Sequence, residues 1–154
     1  MHDKEIQYFT DALQLAQQEF FVDAIGKLKN LIDEFPNSDL ADDSYFNIGL
    51  CYFYLNQFEK GIETFQFLIS NYPDGSISVL DGGKEFGKTA AKAYLGMINC
   101  YLGLGQVEEA EKIIPTLSQY NNSTYVMVNN GKKTFEEIAK NAMDIFNHKS
   151  NNKK

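Results

Sequence analysis

The sequence repeats itself, and this repetition constrains the fold more than any other feature of the chain. Residues 44–61 align with 93–110 at an offset of 49, and residues 20–38 align with 57–75 at an offset of 37. Identities in the first alignment include Tyr45/Tyr94, Cys51/Cys100, Tyr52/Tyr101, Leu55/Leu104 and Gln57/Gln106. Agreement of this kind in one register is hard to obtain by chance, so the chain contains three copies of one unit.

Each copy predicts two helices. Between residues 42 and 55, large side chains recur at spacings of three and four, which is the period of one helix face. Residues 59–71 show the same period, and Pro73 follows at a point where a helix has to end. Each copy also carries a small residue where its two helices are expected to cross closely, and these residues are Ala24, Gly61 and Ala110.

These features resemble the tetratricopeptide repeat family, whose unit of about 34 residues combines an aromatic residue, a Leu-Gly pair, a tyrosine, a small residue and a final proline. The second copy carries Tyr45, Ile48, Gly49, Tyr52, Gly61, Phe65, Leu68 and Pro73. The first copy carries Tyr8, Ala12, Leu15, Ala24, Leu28, Leu31 and Pro36, and the third carries Tyr94, Tyr101, Ala110 and Leu117. The offset of 37 is most similar to repeats of bacterial envelope accessory proteins, such as the outer-membrane assembly lipoprotein and the Tol-Pal accessory protein.

The resemblance implies an all-α fold, a right-handed α-solenoid of about three helix pairs plus a C-terminal capping helix. The predicted single domain spans residues 1–147, with repeats at about 5–38, 42–75 and 91–122 and an insertion loop at 76–90. The capping helix is expected at 134–147, because Thr134 and Glu137 form a capping-box pattern before an apolar stripe of Phe135, Ile138, Ala139, Ala142 and Phe146. Residues 148–154 are expected to be a disordered tail.

Charge and cysteine content narrow the function classes. The chain has 21 acidic residues and 14 of the Lys and Arg class, and all 14 are lysine. This balance disfavours a nucleic acid partner, because cations neutralise phosphates and arginine is their usual bidentate donor. Cys51 and Cys100 lie in apolar surroundings without a nearby metal-binding motif, so we expect free buried thiols. No metal and no cofactor are predicted.

One motif points to chemistry. Residues 82–89 satisfy the phosphate-loop pattern GxxxxGK[ST], in which Lys88 would hold phosphates and Thr89 would hold Mg²⁺. Such loops belong to parallel sheets, and the chain offers only two strand-like runs, ISVL and TYVMV. The motif lies among the extra residues that separate copies two and three, so an insertion loop explains its glycines. Nucleotide binding is a remote alternative, and we predict that the protein is not an enzyme.

In the tetratricopeptide repeat family, the first helices of successive pairs line a concave groove that takes the ligand. By register, the resemblance implies a partner-binding groove formed by Phe9, Leu13, Phe46, Asn47, Leu50, Phe53, Lys92, Leu95 and Asn99. Asn47 and Lys92 match the branch of the family that grips a C-terminal carboxylate. The other positions of that branch, Phe9, Leu13 and Gly96, do not match, which argues against carboxylate capture.

The sequence therefore predicts a non-catalytic scaffold that binds an apolar or helical segment of a partner protein in this groove. Exposed Phe46 and Phe53 would form a patch that a monomer rarely leaves uncovered. The alternative is a self-associating module, a homodimer or larger homo-oligomer that covers the patch. Two further arrangements stay open, in which the insertion folds over the patch or these residues serve as internal packing. As given, the chain is expected to be cytoplasmic, or periplasmic if a signal sequence was removed, and not inserted in a membrane.

Overall fold

The structure is a computed structural model that describes residues 2–126 and 131–152. Its elements are α1 (Asp3–Gln17), α2 (Phe21–Glu34), α3 (Ala41–Tyr54), α4 (Phe58–Asn71), β1 (Glu85–Phe86), α5 (Thr89–Gly103), α6 (Val107–Ile113), a 3₁₀ helix (Ile114–Tyr120), β2 (Thr124–Val126), β3 (Lys132–Thr134) and α7 (Phe135–Asn152). Helices α1 to α6 form three pairs, and each pair packs on the next along the chain. The predicted all-α solenoid is therefore confirmed. No helix within residues 2–126 or 131–152 is long and apolar enough to cross a membrane.

The turns inside the three helix pairs share one backbone feature, a residue with a positive φ angle. Glu19, Asn56 and Gly105 have φ angles of 65°, 59° and 74°. These positions are 37 and 49 residues apart, which are the offsets of the sequence repeats. A residue in the left-handed region ends the first helix of a pair and directs the chain into the second. The register of the sequence repeat is therefore also the register of the backbone.

Three apolar clusters run along the solenoid, and each joins a helix pair to the element that follows it. Phe65 of α4 is fully buried in the middle cluster, where Gly49 and Gly96 leave room for its ring. A side chain at Gly61 would meet the sulfur of Cys100 and the carbonyl oxygen of Gly49. The predicted close approach of the helices at position 61 is therefore confirmed.

Helix α7 caps the last pair. The backbone N–H of Glu137 donates to Thr134 Oγ1 at 3.2 Å, and the backbone N–H of Thr134 donates to Glu137 Oε1 at 3.4 Å, which confirms the capping box. The helix continues through Asn152, so the expectation of disorder is wrong for residues 148–152. Lys153 and Lys154 lie outside the described residues.

The sequence analysis missed a small antiparallel sheet with the strand order β1-β2-β3. Phe86 pairs with Thr124, and Thr124 pairs in turn with Thr134. The sheet thus ties the insertion between α4 and α5 to the connection that precedes α7. The strand-like run TYVMV begins as β2 and then leaves the described residues, whereas ISVL at 77–80 forms no strand.

Two helical glycines allow a matched test of this packing. Gly26 of α2 is exposed and has open space where a Cβ would lie, so Gly26→Ala should stabilise the protein by about 0.5–1 kcal/mol. A methyl group at Gly96 would overlap the ring of Phe65, so Gly96→Ala should lower the free energy of unfolding by about 1–3 kcal/mol. Urea denaturation measures both changes. A Gly96→Ala protein as stable as the wild type would contradict the packing around Phe65.

Candidate protein-binding groove

In the structure the insertion loop spans residues 72–88, between α4 and α5, rather than the predicted 76–90. It folds back over the predicted groove. The backbone N–H of Ser78 donates to Asp43 Oδ1 at 2.9 Å, and Asn47 Nδ2 donates to Asp81 Oδ2 at 3.1 Å. Both contacts hold the loop against the beginning of α3. Of the aromatic patch, Phe46 is buried in the middle apolar cluster beside these contacts, whereas Phe53 stays partly exposed.

Lys92 of α5 holds the other side of the loop. Its Nζ lies 2.7 Å from Asp81 Oδ2 and 2.9 Å from Glu85 Oε1, and it sits 4.2 Å from the ring centroid of Phe46. Only 3% of Lys92 is exposed. Burial alone lowers the pKa of Lys92, but the charges of Asp81 and Glu85 outweigh it and leave the pKa raised. The ammonium group is therefore charged, desolvated and fully engaged within the chain.

Asp43 of α3 is a further acidic residue that contacts the insertion loop. It is 1% exposed, and burial raises the pKa of its carboxyl group to about 7. The hydrogen bond from Ser78 opposes this rise, the charges of Asp42 and Asp81 add to it, and the charge of Lys92 again opposes it. Asp42 and Asp43 lie in the first turn of α3, and both side chains are buried.

The base of the loop is fixed by the start of α5. The backbone N–H of Thr89 donates to the Gly75 carbonyl oxygen at 3.0 Å, and the backbone N–H of Lys88 donates to Ser123 Oγ at 3.0 Å. Gly87, with a φ of 110°, lies so close to Ser123 that any side chain there would overlap it. The loop is therefore anchored at its base as well as over the groove.

These contacts bear on the phosphate-loop motif at 82–89. The backbone N–H groups of Lys88 and Thr89 already have acceptors, and Lys88 Nζ donates to the Asp74 carbonyl oxygen at 3.1 Å. The Thr89 side chain is fully buried. The donors that a nucleotide phosphate would need at the start of α5 are thus engaged in fixing the insertion loop.

The nine residues predicted to line the groove fall into three groups. Phe9 is fully buried in the first apolar cluster, since its side chain lies on the face of α1 that packs on α2. Phe46, Asn47 and Lys92 are buried beneath the insertion loop. The partly exposed residues are Leu13, Leu50, Phe53, Leu95 and Asn99. The structure thus brings together Phe46, Asn47 and Lys92, but it places them under part of the same chain.

Beside the loop, a pocket of about 360 Å³ remains open. This open pocket is lined by Glu85, Leu95, Tyr125, Lys133, Phe135, Ile138 and Asn141. Carbon atoms form most of its wall, and its lining residues with charged or amide side chains are Glu85, Lys133 and Asn141. Of the nine predicted residues, only Leu95 contributes to it.

Sequence reasoning missed Asp43, Asp81 and Glu85 as partners of the groove residues. A signal was present, because Asp43 and Lys92 are 49 residues apart and so occupy the same position of successive repeats. A lysine in the first turn of a helix is unfavourable next to the positive end of the helix dipole. Such a lysine indicates a nearby acid, and the acids of the insertion are the nearest in sequence.

Ionisation of Asp43 should make the stability depend on pH. Its folded pKa is raised to about 7, so its contribution to stability is full below the unfolded pKa and is lost as the pH rises through about 7. We expect the free energy of unfolding to fall by about 1–3 kcal/mol from pH 5 to pH 8, at about 1.4 kcal/mol per pKa unit. Asp43→Asn should remove this fall, whereas the exposed control Asp23→Asn should keep it. Equal pH profiles for wild type and Asp43→Asn would refute the assignment.

Lys92→Met should release the insertion loop. Removal of one partner from a buried ion pair costs about 3–5 kcal/mol, because the remaining charges are left without compensation. Amide hydrogen exchange at residues 76–88 should accelerate by roughly tenfold or more, since about 1.4 kcal/mol corresponds to a factor of ten. The exposed Lys84→Met is the matched control in the same loop and should leave exchange unchanged. If both variants exchange like the wild type, Lys92 does not hold the loop.

Comparison with known proteins agrees with this architecture. Residues 43–75, which contain the second helix pair and its closing proline, match the tetratricopeptide repeat family. No curated protein sequence matches the chain. The resemblance to envelope accessory proteins is not tested by these matches and stays a prediction.

Solved structures share the fold at low identity. The Yersinia enterocolitica type III secretion translocator chaperone SycD, in an alternative dimer form, has a TM-score of 0.55 at 17% identity, over 74% of this chain and 73% of that chain. MamA AMB-1 has a TM-score of 0.55 at 17% identity, over 74% and 57%. A MamA point mutant has 0.50 at 17% identity, over 70% and 50%, so this chain spans only about half the length of MamA. This chain is an all-α solenoid, and its residues 43–75 match the tetratricopeptide repeat family.

Proposed function

We propose that this protein is a non-catalytic scaffold that binds an apolar, helical segment of another protein at the open pocket. The observation that carries the proposal is the pocket of about 360 Å³, which presents Leu95, Tyr125 and Ile138 beside the insertion loop. An amphipathic helix binds such a surface by placing one or two large apolar side chains in it. Lys133 provides a positive charge for a polar group that flanks the apolar anchor, whereas Glu85 is paired with Lys92.

The position of the insertion loop decides which part of the concave surface is available. Phe46 and Lys92 are 7% and 3% exposed, so they offer almost no area to a partner while the loop is in place. The accessible part of the surface is the half of the solenoid formed by α5, the sheet and α7. A partner bound there would contact residues that follow the third helix pair, and the register of the repeats does not predict these residues.

The known proteins of similar fold support a role in protein binding. Tetratricopeptide solenoids act as interaction scaffolds, and SycD is a translocator chaperone in type III secretion. The same comparison keeps self-association as the second candidate, because the SycD structure is a dimer. In this chain, part of the predicted self-association patch is covered, since Phe46 lies beneath the loop while Phe53 stays partly exposed.

Chemical-shift mapping tests the proposal with a synthetic helical peptide that carries leucines along one face and has no net charge. We expect amide shifts around Leu95, Tyr125 and Ile138 of the labelled protein. Ile138→Glu should weaken binding by roughly tenfold or more, because a charge in the pocket would be desolvated. Ile145→Glu is the matched control, since Ile145 lies on the same helix but is 58% exposed and outside the pocket.

Circular dichroism of both variants controls for folding, and light scattering over a concentration series reports the oligomeric state. Shifts confined to other surfaces, or equal binding by Ile138→Glu and Ile145→Glu, would overturn the proposal. If instead the mass rises with concentration and added peptide reverses this rise, the result would favour self-association at this pocket.

A further inference from the structure

A second cleft, of about 420 Å³, lies between the outer helices α2 and α4, with α3 as its floor. We refer to it as the outer cleft, and the residues that matter for its chemistry are Lys29, Asp33, Tyr45, Tyr52, Glu63 and Phe67. At about 100° per residue, Tyr45 and Tyr52 lie on a different face of α3 from Leu50 and Phe53, which belong to the predicted groove. The outer cleft shares no lining residue with the open pocket, whose walls come from the insertion loop, α5, the sheet and α7.

Aromatic side chains form much of the wall of the outer cleft. The ring centroids of Tyr45 and Phe67 are 4.8 Å apart, and Phe67 is 46% exposed. The electron-rich faces of such rings attract cations. The chain already uses this chemistry here, because Lys60 Nζ lies 5.7 Å from the ring centroid of Tyr52.

Two carboxylates stand at the outer cleft without a cation. Asp33 and Glu63 are exposed, and neither forms an ion pair within residues 2–126 and 131–152. Lys29 is the one base among the lining residues and Lys60 lies over Tyr52, but neither lysine pairs with Asp33 or Glu63. Burial raises the pKa of Tyr45, and its neighbours Tyr72 and Asp33 add to the rise.

We propose that the outer cleft binds a lysine- or arginine-containing segment of a partner protein, whose cation lies against Tyr45 and Phe67 and pairs with Asp33 and Glu63. The two carboxylates, Asp33 and Glu63, are complementary to the cation of such a segment. Because the outer cleft and the open pocket lie on separate surfaces, both can be occupied at the same time.

Isothermal titration with three peptides of equal length tests this proposal. One peptide is rich in lysine and arginine, one is rich in glutamate, and one contains only serine and glycine. Only the basic peptide should bind, and its affinity should fall as the ionic strength rises from low to physiological, because the carboxylates are exposed.

Variants assign the binding to the outer cleft. Asp33→Asn/Glu63→Gln should weaken binding by roughly 3- to 10-fold, and Phe67→Leu by roughly 2- to 5-fold, in line with exposed ion pairs and cation–π contacts. Lys29→Gln should tighten binding, because it removes the repelling charge. Glu111→Gln/Asp144→Asn changes the net charge equally at exposed sites outside the cleft and should have little effect.

Three results would overturn the proposal. The first is equal weakening by the two double variants, which would indicate attraction by the net charge alone. The second is an unchanged affinity of Phe67→Leu. The third is binding of the serine-glycine peptide as tight as that of the basic one. Thermal melts of each variant control for folding, and all the substituted side chains are exposed, so loss of the fold is not expected.

Discussion

The buried ammonium group of Lys92 is the interaction on which the functional surface depends. A charge removed from water is costly unless it is paired and hydrogen-bonded, and here Asp81 and Glu85 provide that compensation at 2.7 Å and 2.9 Å. Both acids belong to the insertion loop, so displacement of the loop would leave the charge of Lys92 without a partner. An acid at the same position of the preceding repeat, Asp43, takes a backbone amide of the same loop. Two equivalent positions of the solenoid thus fix one insertion.

The fixed loop divides the surface of the solenoid. The loop covers the beginnings of α3 and α5, so a partner cannot reach them. The open pocket lies where the loop meets α5, α7 and the small sheet. Strand β1 of the loop pairs with β2, and Ser123 accepts the backbone N–H of Lys88, so the C-terminal segment and the loop support each other. The segment after the third pair is therefore part of the candidate binding surface as well as a cover for the last apolar cluster. No residue of the loop lines the outer cleft, between α2 and α4.

Much of the fold could be predicted from sequence, because the repeat imposes the same packing three times. The small residue Gly61 at the helix crossing and the capping box of Thr134 are local signals that hold in the structure. The candidate site was harder to predict. Register transfer placed Phe9 in the groove, although the helix turns it into the core, and it gave no information on what covers Phe46. A two-residue strand such as β1 has no period that a sequence could reveal.

The sequence by itself determined the helix pairs, their order and their turns, because these depend on residue spacing along the chain and on neighbours close in sequence. Tertiary structure decided which of the predicted groove residues remain accessible, since that depends on an insertion whose anchors lie more than thirty residues away at Asp43 and Ser123. It also decided the meaning of the glycine-rich motif at 82–89. The pattern of residues matches a phosphate loop, but the backbone N–H groups of Lys88 and Thr89 donate to Ser123 and Gly75. Hydrogen-bond partners are a property of three-dimensional proximity, which spacing along a chain does not fix.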